Sequence, residues 1–264
     1  MIIDVNAYLG PFAFRHLRHR TAGELLGLMD SRGIDRAVVS GAAAITYRNP
    51  QPANAELIAE IGPHPDRFIP FAVINPSYAG WADDLEACLD LGFRGLRLYP
   101  KWHNYDLMSE PCLDLIDRAT DDGMIISIPM RVEDPRQRSW LVDVPNVPVS
   151  ELADVVAARP RARFHFVNGR GFAGSVLGQP ENGLPENYRI EISLLNVHLN
   201  DEVETLIANL GPDRLMFGTG MPFQYPDPAL AKIEVLAPDD ALKAQILHQN
   251  AAEWLDAAAP RGGR

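Results

Sequence analysis

Residues 2–10 read IIDVNAYLG, and residues 21–33 read TAGELLGLMDSRG. The first piece is a short run suited to a strand; the second is a helical pattern closed by Gly33, where a left-handed C-cap is wanted. This strand-then-helix unit recurs along the chain. RAVVS (36–40) leads to PANAELIAEIG (52–62), and RFIPFAVIN (67–75) leads to WADDLEACLDLG (81–92). FRGLRLY (93–99) leads to EPCLDLIDRATDDG (110–123), and MIISIPM (124–130) leads to VSELADVVAAR (149–159). ARFHFVN (162–168) follows, then NYRIEIS (187–193) before NDEVETLIANLG (200–211), and DRLMFG (213–218) before DPALAKIEVL (227–236). Only the sixth helix is poor: GFAGSVLGQPENGLPENY (171–188) is rich in Gly and Pro and reads as a loop with one turn.

Eight such units in one chain of 264 residues predict an α/β fold, a single-domain (β/α)8 TIM barrel over residues 1–256 with a frayed tail at 257–264. No G-x-G-x-x-G follows the first strand and no G-x-x-x-x-G-K-[ST] occurs, which argues against dinucleotide and nucleotide triphosphate sites of those kinds. A net charge of −11 argues against nucleic acid and anionic membrane as partners. The start MIIDVNAY lacks a basic segment ahead of an apolar one, and no apolar run is long enough to span a bilayer, so a cytoplasmic location is expected. Cys88 and Cys112 have neither zinc-site nor redox spacing and read as buried free thiols.

Strands of a parallel barrel are covered on both sides and usually read as continuous apolar runs. Several here alternate instead. In the first strand Ile3, Val5 and Ala7 are expected to face the helices, leaving Asp4, Asn6 and Tyr8 inside. In the fourth, Leu96 and Leu98 face out and Arg97 and Tyr99 face in; in the seventh, Glu191 and Ser193 face in. The interior is therefore polar, and one structural reading has Arg97 bridging Asp4 or Glu191, since isolated buried ions are costly. By the same parity His165 should face the helices. Residues nearest the C-terminal strand ends are the better functional candidates, because barrel active sites sit on that face.

At this point the chain resembles a known family. IIDVNAYLG is similar to the opening strand of the amidohydrolase superfamily, in the amidohydrolase-2 branch of decarboxylases, hydratases and lactonases, whose pattern runs I-D-x-H-x-H-x-G. In order, PDRFIPFAVINP (65–76), GFRGLRLYP (92–100), GPDRLMFGTGMPF (211–223) and ILHQNAAEWL (246–255) resemble further segments of that family. The resemblance implies the same barrel, and a homo-oligomer. It also implies where metal ligands would stand, and those positions are altered. The first-strand histidines are Asn6 and Tyr8, the strand-4 histidine is Tyr99, and strand 5 offers Pro129 or Met130. The strand-6 histidine is Asn168 and the aspartate after strand 8 is Gly220. A divalent metal wants imidazole, carboxylate or thiolate donors. No metal and no other cofactor is expected.

What chemistry remains must come from the loops over the mouth. His103 or Glu133 is the candidate acid–base group, and Lys101 or Arg131 the candidate cation that steadies negative charge. Arg131, Lys101 and Arg170 suggest a small anionic, carboxylate-bearing ligand. Asn6, Tyr8, Tyr99, Arg131, Asn168, Arg170, Ser193 and His198 are the candidate binding residues. Two functions fit: a metal-independent hydrolase or lyase of family type, or an inactive member that binds a small ligand or partner protein. A mouth plugged by Trp102, Tyr8 and Met130 would favour a scaffold role.

Overall fold

The computed structural model describes residues 1–197, 201–236 and 239–257. Eight parallel strands follow one another around the sheet in chain order: β1 (Ile3–Leu9), β2 (Arg36–Gly41), β3 (Phe68–Ala72), β4 (Gly95–Arg97), β5 (Ile125–Pro129), β6 (Arg163–Val167), β7 (Tyr188–Glu191) and β8 (Leu215–Met216). The first and last strands meet through Val5 N–H to the Phe217 carbonyl at 3.0 Å and Tyr8 N–H to the Met221 carbonyl at 2.8 Å, which closes the barrel. The helices are α1 (Ala22–Ser31), α2 (Gln51–Ile61), α3 (Trp81–Asp90), α4 (Pro100–His103) and α5 (Glu110–Asp121) in the first half. The second half has α6 (Val149–Ala158), α7 (Glu202–Leu210), α8 (Asp227–Leu236), α9 (Asp240–Ala244) and α10 (Asn250–Asp256). Between β6 and β7 there is only the turn Val176–Gly178, as the Gly- and Pro-rich sequence demands. The expected (β/α)8 barrel is the fold.

Local chemistry sets the elements. Helix α1 opens on a capping box, with Thr21 Oγ1 accepting from Glu24 N–H and the Glu24 carboxylate accepting from Thr21 N–H at 3.1 Å. Outward-facing Leu96, Leu98, Ile126, Ile128, Phe164, Phe166 and Ile190 are buried against Leu115, Ile116, Leu152 and Val155 of the surrounding helices. Each such side chain contributes roughly 1.5–3 kcal/mol of apolar burial. Cys88 and Cys112 are free and buried. No helix among the described residues is long and apolar enough to cross a membrane.

The lumen is layered. Ile3 and Val5 join Val38, Ile69, Phe71, Ile125 and Met216 in a lower apolar cluster that also takes in Ala251 and Leu255 of α10. Helix α10 seals the N-terminal end of the barrel. Trp254 lies beneath two guanidinium groups, Arg163 at 5.6 Å and Arg189 at 4.2 Å from its ring centre, and Arg94 donates to the Leu255 carbonyl at 3.2 Å. Three expectations are corrected here. Ile3 and Val5 face the lumen, because a register shift between Asp4 and Ala7 puts a bulge into β1; Ala7 and Leu9 do pack outward. His165 also faces the lumen, on the side opposite Phe164 and Phe166. The parity count back from Asn168 fails because Asn168 adopts a left-handed φ of 54°. Burial, and then the nearby Arg97, pushes the His165 pKa down to about 3. Finally, Arg97 bridges neither carboxylate: it crosses the lumen to donate to the carbonyls of Ala7 at 3.0 Å and Val5 at 3.3 Å, with the Tyr8 ring 4.9 Å away.

Candidate functional site

The bulge in β1 has a chemical cause. The Asp4 carboxylate accepts the N–H of Asn6 at 2.8 Å and the N–H of Thr219 at 3.0 Å, and also the Thr219 hydroxyl. This grip, an aspartate bonded to its own chain two residues on, turns Asn6 into the lumen. Asn6 Nδ2 donates to Asn168 Oδ1 at 2.9 Å and to Glu191 Oε2 at 3.3 Å. Asn168 Nδ2 donates to Tyr8 Oη at 3.1 Å, and Gln224 Nε2 donates to Asn168 Oδ1 at 3.2 Å. Glu191 Oε2 further accepts Asn168 N–H at 3.0 Å and Ser193 Oγ–H at 2.9 Å, while its Oε1 accepts Ser193 N–H. A Cβ placed on Gly220 would lie 3.1 Å from Asn168 Oδ1 and 2.8 Å from Gln224 Nε2. Residues from β1 and from the ends of β6, β7 and β8 thus close on one another in a buried knot of amides, a phenol, a serine and one carboxylate.

Above the knot the barrel axis is blocked. Tyr8, Phe12, Tyr99, Val132 and Phe223 form one buried cluster with Trp102 packed against it. The rings meet edge to face, Tyr8 with Phe223 at 5.0 Å and Phe12 with Phe223 at 4.9 Å. Met130 is not part of this plug; it packs in the outer core.

The opening lies off the axis. A cleft of about 590 Å³ runs over the ends of β6 to β8, with Asp134, Arg136, Arg170, Ser193, Gln224 and Lys232 among its lining residues. Lys232, on α8, donates from Nζ to the carbonyls of Ile192, at 3.2 Å, and Ser193. Burial pulls its pKa down to about 8 against the attraction of Glu191. Arg131 stands near Arg170; burial first, then that second cation, lowers its pKa, and Asp134 opposes both.

The family profile described as amidohydrolase matches residues 7–149 and 185–257. This chain belongs to the amidohydrolase family. No curated protein sequence matches it. Among solved structures, a 2,6-dihydroxybenzoate decarboxylase from Rhizobium is 18% identical with a TM-score of 0.74, over 98% of this chain and 99% of its own. A dihydroxybenzoic acid decarboxylase from Polaromonas sp. JS666, with bound manganese and the inhibitor 2-nitroresorcinol, is 17% identical with a TM-score of 0.74, over 98% and 97% of the two chains. A probable 2-pyrone-4,6-dicarboxylic acid hydrolase from Acinetobacter baumannii, with citric acid bound, is 14% identical with a TM-score of 0.68, over 97% and 99%. These likenesses establish a shared barrel.

In this amidohydrolase-family chain four of the positions that resemble metal ligands, Asn6, Tyr8, Asn168 and Gly220, converge, but their chemistry does not suit a metal. Two amides, a phenol and a glycine meet beside a single carboxylate whose oxygens are already taken by four donors. Burial, opposed by Arg97, raises the Tyr8 pKa, so the phenol stays protonated. Among the described residues no group of three His, Cys, Asp or Glu could hold an ion.

The other candidates lie away from the cleft, on the side of β4 and β5. Lys101 is ion-paired with Glu151 of α6, at 2.7 and 2.8 Å. His103 is buried with Nε2 3.1 Å from the Ala44 carbonyl, and burial lowers its pKa. Glu133 is buried 3.3 Å from Arg15; burial raises its pKa while Arg15 and then Arg138 pull it down. Lys101, Glu133, Arg131 and Tyr99 thus line one small pocket at the ends of β4 and β5, while His103 lies outside it, beside Trp102 and Asn104. Tyr99 lies in the plug with its hydroxyl unpartnered among the described residues. His198 and most of the expected tail lie outside the described residues. No motif in the sequence marks Gln224 or Lys232, and the alternation of β7 points to Glu191 only as a structural partner for Arg97. The signal for Lys232 was the one cation in the otherwise apolar and acidic DPALAKIEVL.

Asp4 carries a pH prediction. Burial pushes its carboxyl up to about 7 against the pull of its donors, Thr219 foremost. An unfolded aspartate titrates near ~3.9, so the folded state holds this proton more tightly. The stability that the proton adds is fully present below about pH 4 and is lost as pH rises through about 7, amounting to a few kcal/mol (~1.4 kcal/mol per pKa unit). Urea midpoints are expected to fall from pH 4.5 to 7.5 in the wild type and to fall less in Asp4→Asn.

Proposed function

We propose that this chain is a metal-independent member of the amidohydrolase family that binds a small carboxylate-bearing molecule in the off-axis cleft and acts on it as a hydrolase or lyase. The observation that carries the reading is the placement of Arg170 and Lys232 along one cleft with Ser193 and Gln224. Arginine offers a carboxylate two parallel donors, and Lys232 adds a charge held by two backbone carbonyls. Asp134 and Arg136 at the rim are paired with each other at 2.9 Å and contribute no free charge.

A charge-assisted hydrogen bond is worth about 1.5–3 kcal/mol. Isothermal titration with acetate, benzoate and citrate, against their neutral amides, is the test. At least one carboxylate is expected to bind while its amide does not, and Arg170→Met is expected to weaken binding roughly tenfold or more. Equal binding of acid and amide overturns the reading.

The aromatic plug of Tyr8, Phe12, Phe223 and Trp102 favours a second reading, a non-catalytic binder. It predicts carboxylate binding with no turnover of any bound ligand.

A further inference from the structure

We propose that Ser193 is a nucleophile, with Glu191 as its general base and Lys232 facing the developing oxyanion, and that the cleft cleaves carboxylic esters or lactones through a covalent acyl-enzyme. This rests on the cleft being the binding site. Four observations support it. Ser193 lines the cleft, and its hydroxyl donates to Glu191 Oε2 at 2.9 Å, the nucleophile-to-base contact that such chemistry needs. The base is itself oriented: Asn168 N–H at 3.0 Å and Asn6 Nδ2 at 3.3 Å hold the same oxygen, and Ser193 N–H holds the other. Lys232 is fixed by the carbonyls of Ile192 and Ser193, so its ammonium sits beside the nucleophile and borders the cleft. Lastly, Ser193 follows the C-terminal end of β7, the face from which barrel enzymes draw their catalytic groups. The other buried carboxylates do not place a hydroxyl at the cleft. Asp4 accepts the Thr219 hydroxyl, but Thr219 does not line the cleft; Glu202 is held by the backbone N–H groups of Gly171, Phe172 and Asn196, and Glu133 has no hydroxyl partner among the described residues.

The steps balance. Ser193 Oγ bonds to the carbonyl carbon while its proton passes to Glu191 Oε2. The carbon–oxygen bond to the alkoxide then breaks, and the alkoxide takes the proton from Glu191. Water attacks the acyl ester, gives a proton to Glu191 and releases the acid; that proton returns to Ser193 Oγ. Lys232 steadies negative charge on the carbonyl oxygen throughout. Burial raises the Glu191 pKa while its hydrogen bonds lower it, which suits a residue that both accepts and returns a proton.

The test is covalent labelling of the whole protein with an alkyl fluorophosphonate, read by intact-mass and peptide mass spectrometry. Ser193 Oγ would bond to phosphorus as the P–F bond breaks, with fluoride leaving and the proton going to Glu191. One adduct is expected, on the peptide carrying Ser193, and none in Ser193→Ala. Glu191→Gln is expected to slow labelling at least a hundredfold and Lys232→Met about tenfold, each with an unchanged far-ultraviolet circular dichroism spectrum. If Glu191→Gln does not fold, the wild type and Lys232→Met still decide. No wild-type adduct, or an adduct on another residue, overturns the proposal. Carboxylate binding without an adduct rejects the serine role alone; absence of both rejects the cleft as well.

Discussion

Gly220→Asp, which restores the residue of the resembling family motif, is expected to destabilise the fold by about 3 kcal/mol and to bring no metal with it. Gly220 sits at φ 75°, where a side chain costs roughly 1–2 kcal/mol. A Cβ there approaches Gln224 Nε2 to 2.8 Å and Asn168 Oδ1 to 3.1 Å. Gln224 is the end of a flexible side chain and can yield; Asn168 cannot, being bonded to Asn6, Tyr8 and Glu191 at once. The new carboxylate would then face an amide oxygen that already accepts two bonds, in a knot that already holds Glu191. Gly220→Ala separates the backbone part of the cost from the charge. Urea denaturation gives the energies, and elemental analysis of protein purified without chelator gives the metal content. Near one equivalent of zinc or manganese in Gly220→Asp would mean that the knot opens readily, and the metal-independent reading would fall.

Arg97→Met is expected to cost more, about 3–5 kcal/mol, or roughly 10 °C in thermal midpoint. Replacing a buried ion by an apolar group of similar size is often harmless when its partner is removed too. Here the partners stay. The carbonyls of Val5 and Ala7, at the bulge, lose their cross-lumen donor, and the Tyr8 ring loses the guanidinium 4.9 Å from its centre. No carboxylate lies within ion-pairing distance of Arg97 among the described residues, so none is relieved by its removal. Arg97→Lys should recover little, since a point charge cannot straddle two carbonyls as the planar fork does. Differential scanning calorimetry of the two variants checks this; a loss under about 1 kcal/mol in Arg97→Met would show that the cross-lumen bonds are dispensable.

The barrel was legible because every strand but β6 leads through a turn into a helical pattern, and because inward Arg97 and Glu191 break the apolar runs of β4 and β7. The meeting of Asn6, Tyr8, Asn168 and Gly220 followed from the order of the family-like segments. Local backbone events defeated the rest. The left-handed Asn168 inverts the parity that would place His165, and the Asp4-pinned bulge turns both Val5 and Asn6 inward. The partners of Lys101 and His103, namely Glu151 and the Ala44 carbonyl, lie about fifty to sixty residues away in sequence, as the 50- and 59-residue separations record. Lys232 enters the cleft from a helix rather than from a strand end.

The seat of Trp254 between Arg163 and Arg189 bears on the order in which the molecule is made. Among the described elements, the first strand, β1, needs the last helix, α10, to cover Ile3 and Val5. Until that helix has left the ribosome, an apolar ring drawn from β1, β2, β3, β5 and β8 stays open at one end. Contacts so distant along the chain close late and slowly. A chain cut ahead of Trp254 is therefore expected to leave this apolar ring uncovered and prone to aggregation rather than to fold as a shortened barrel.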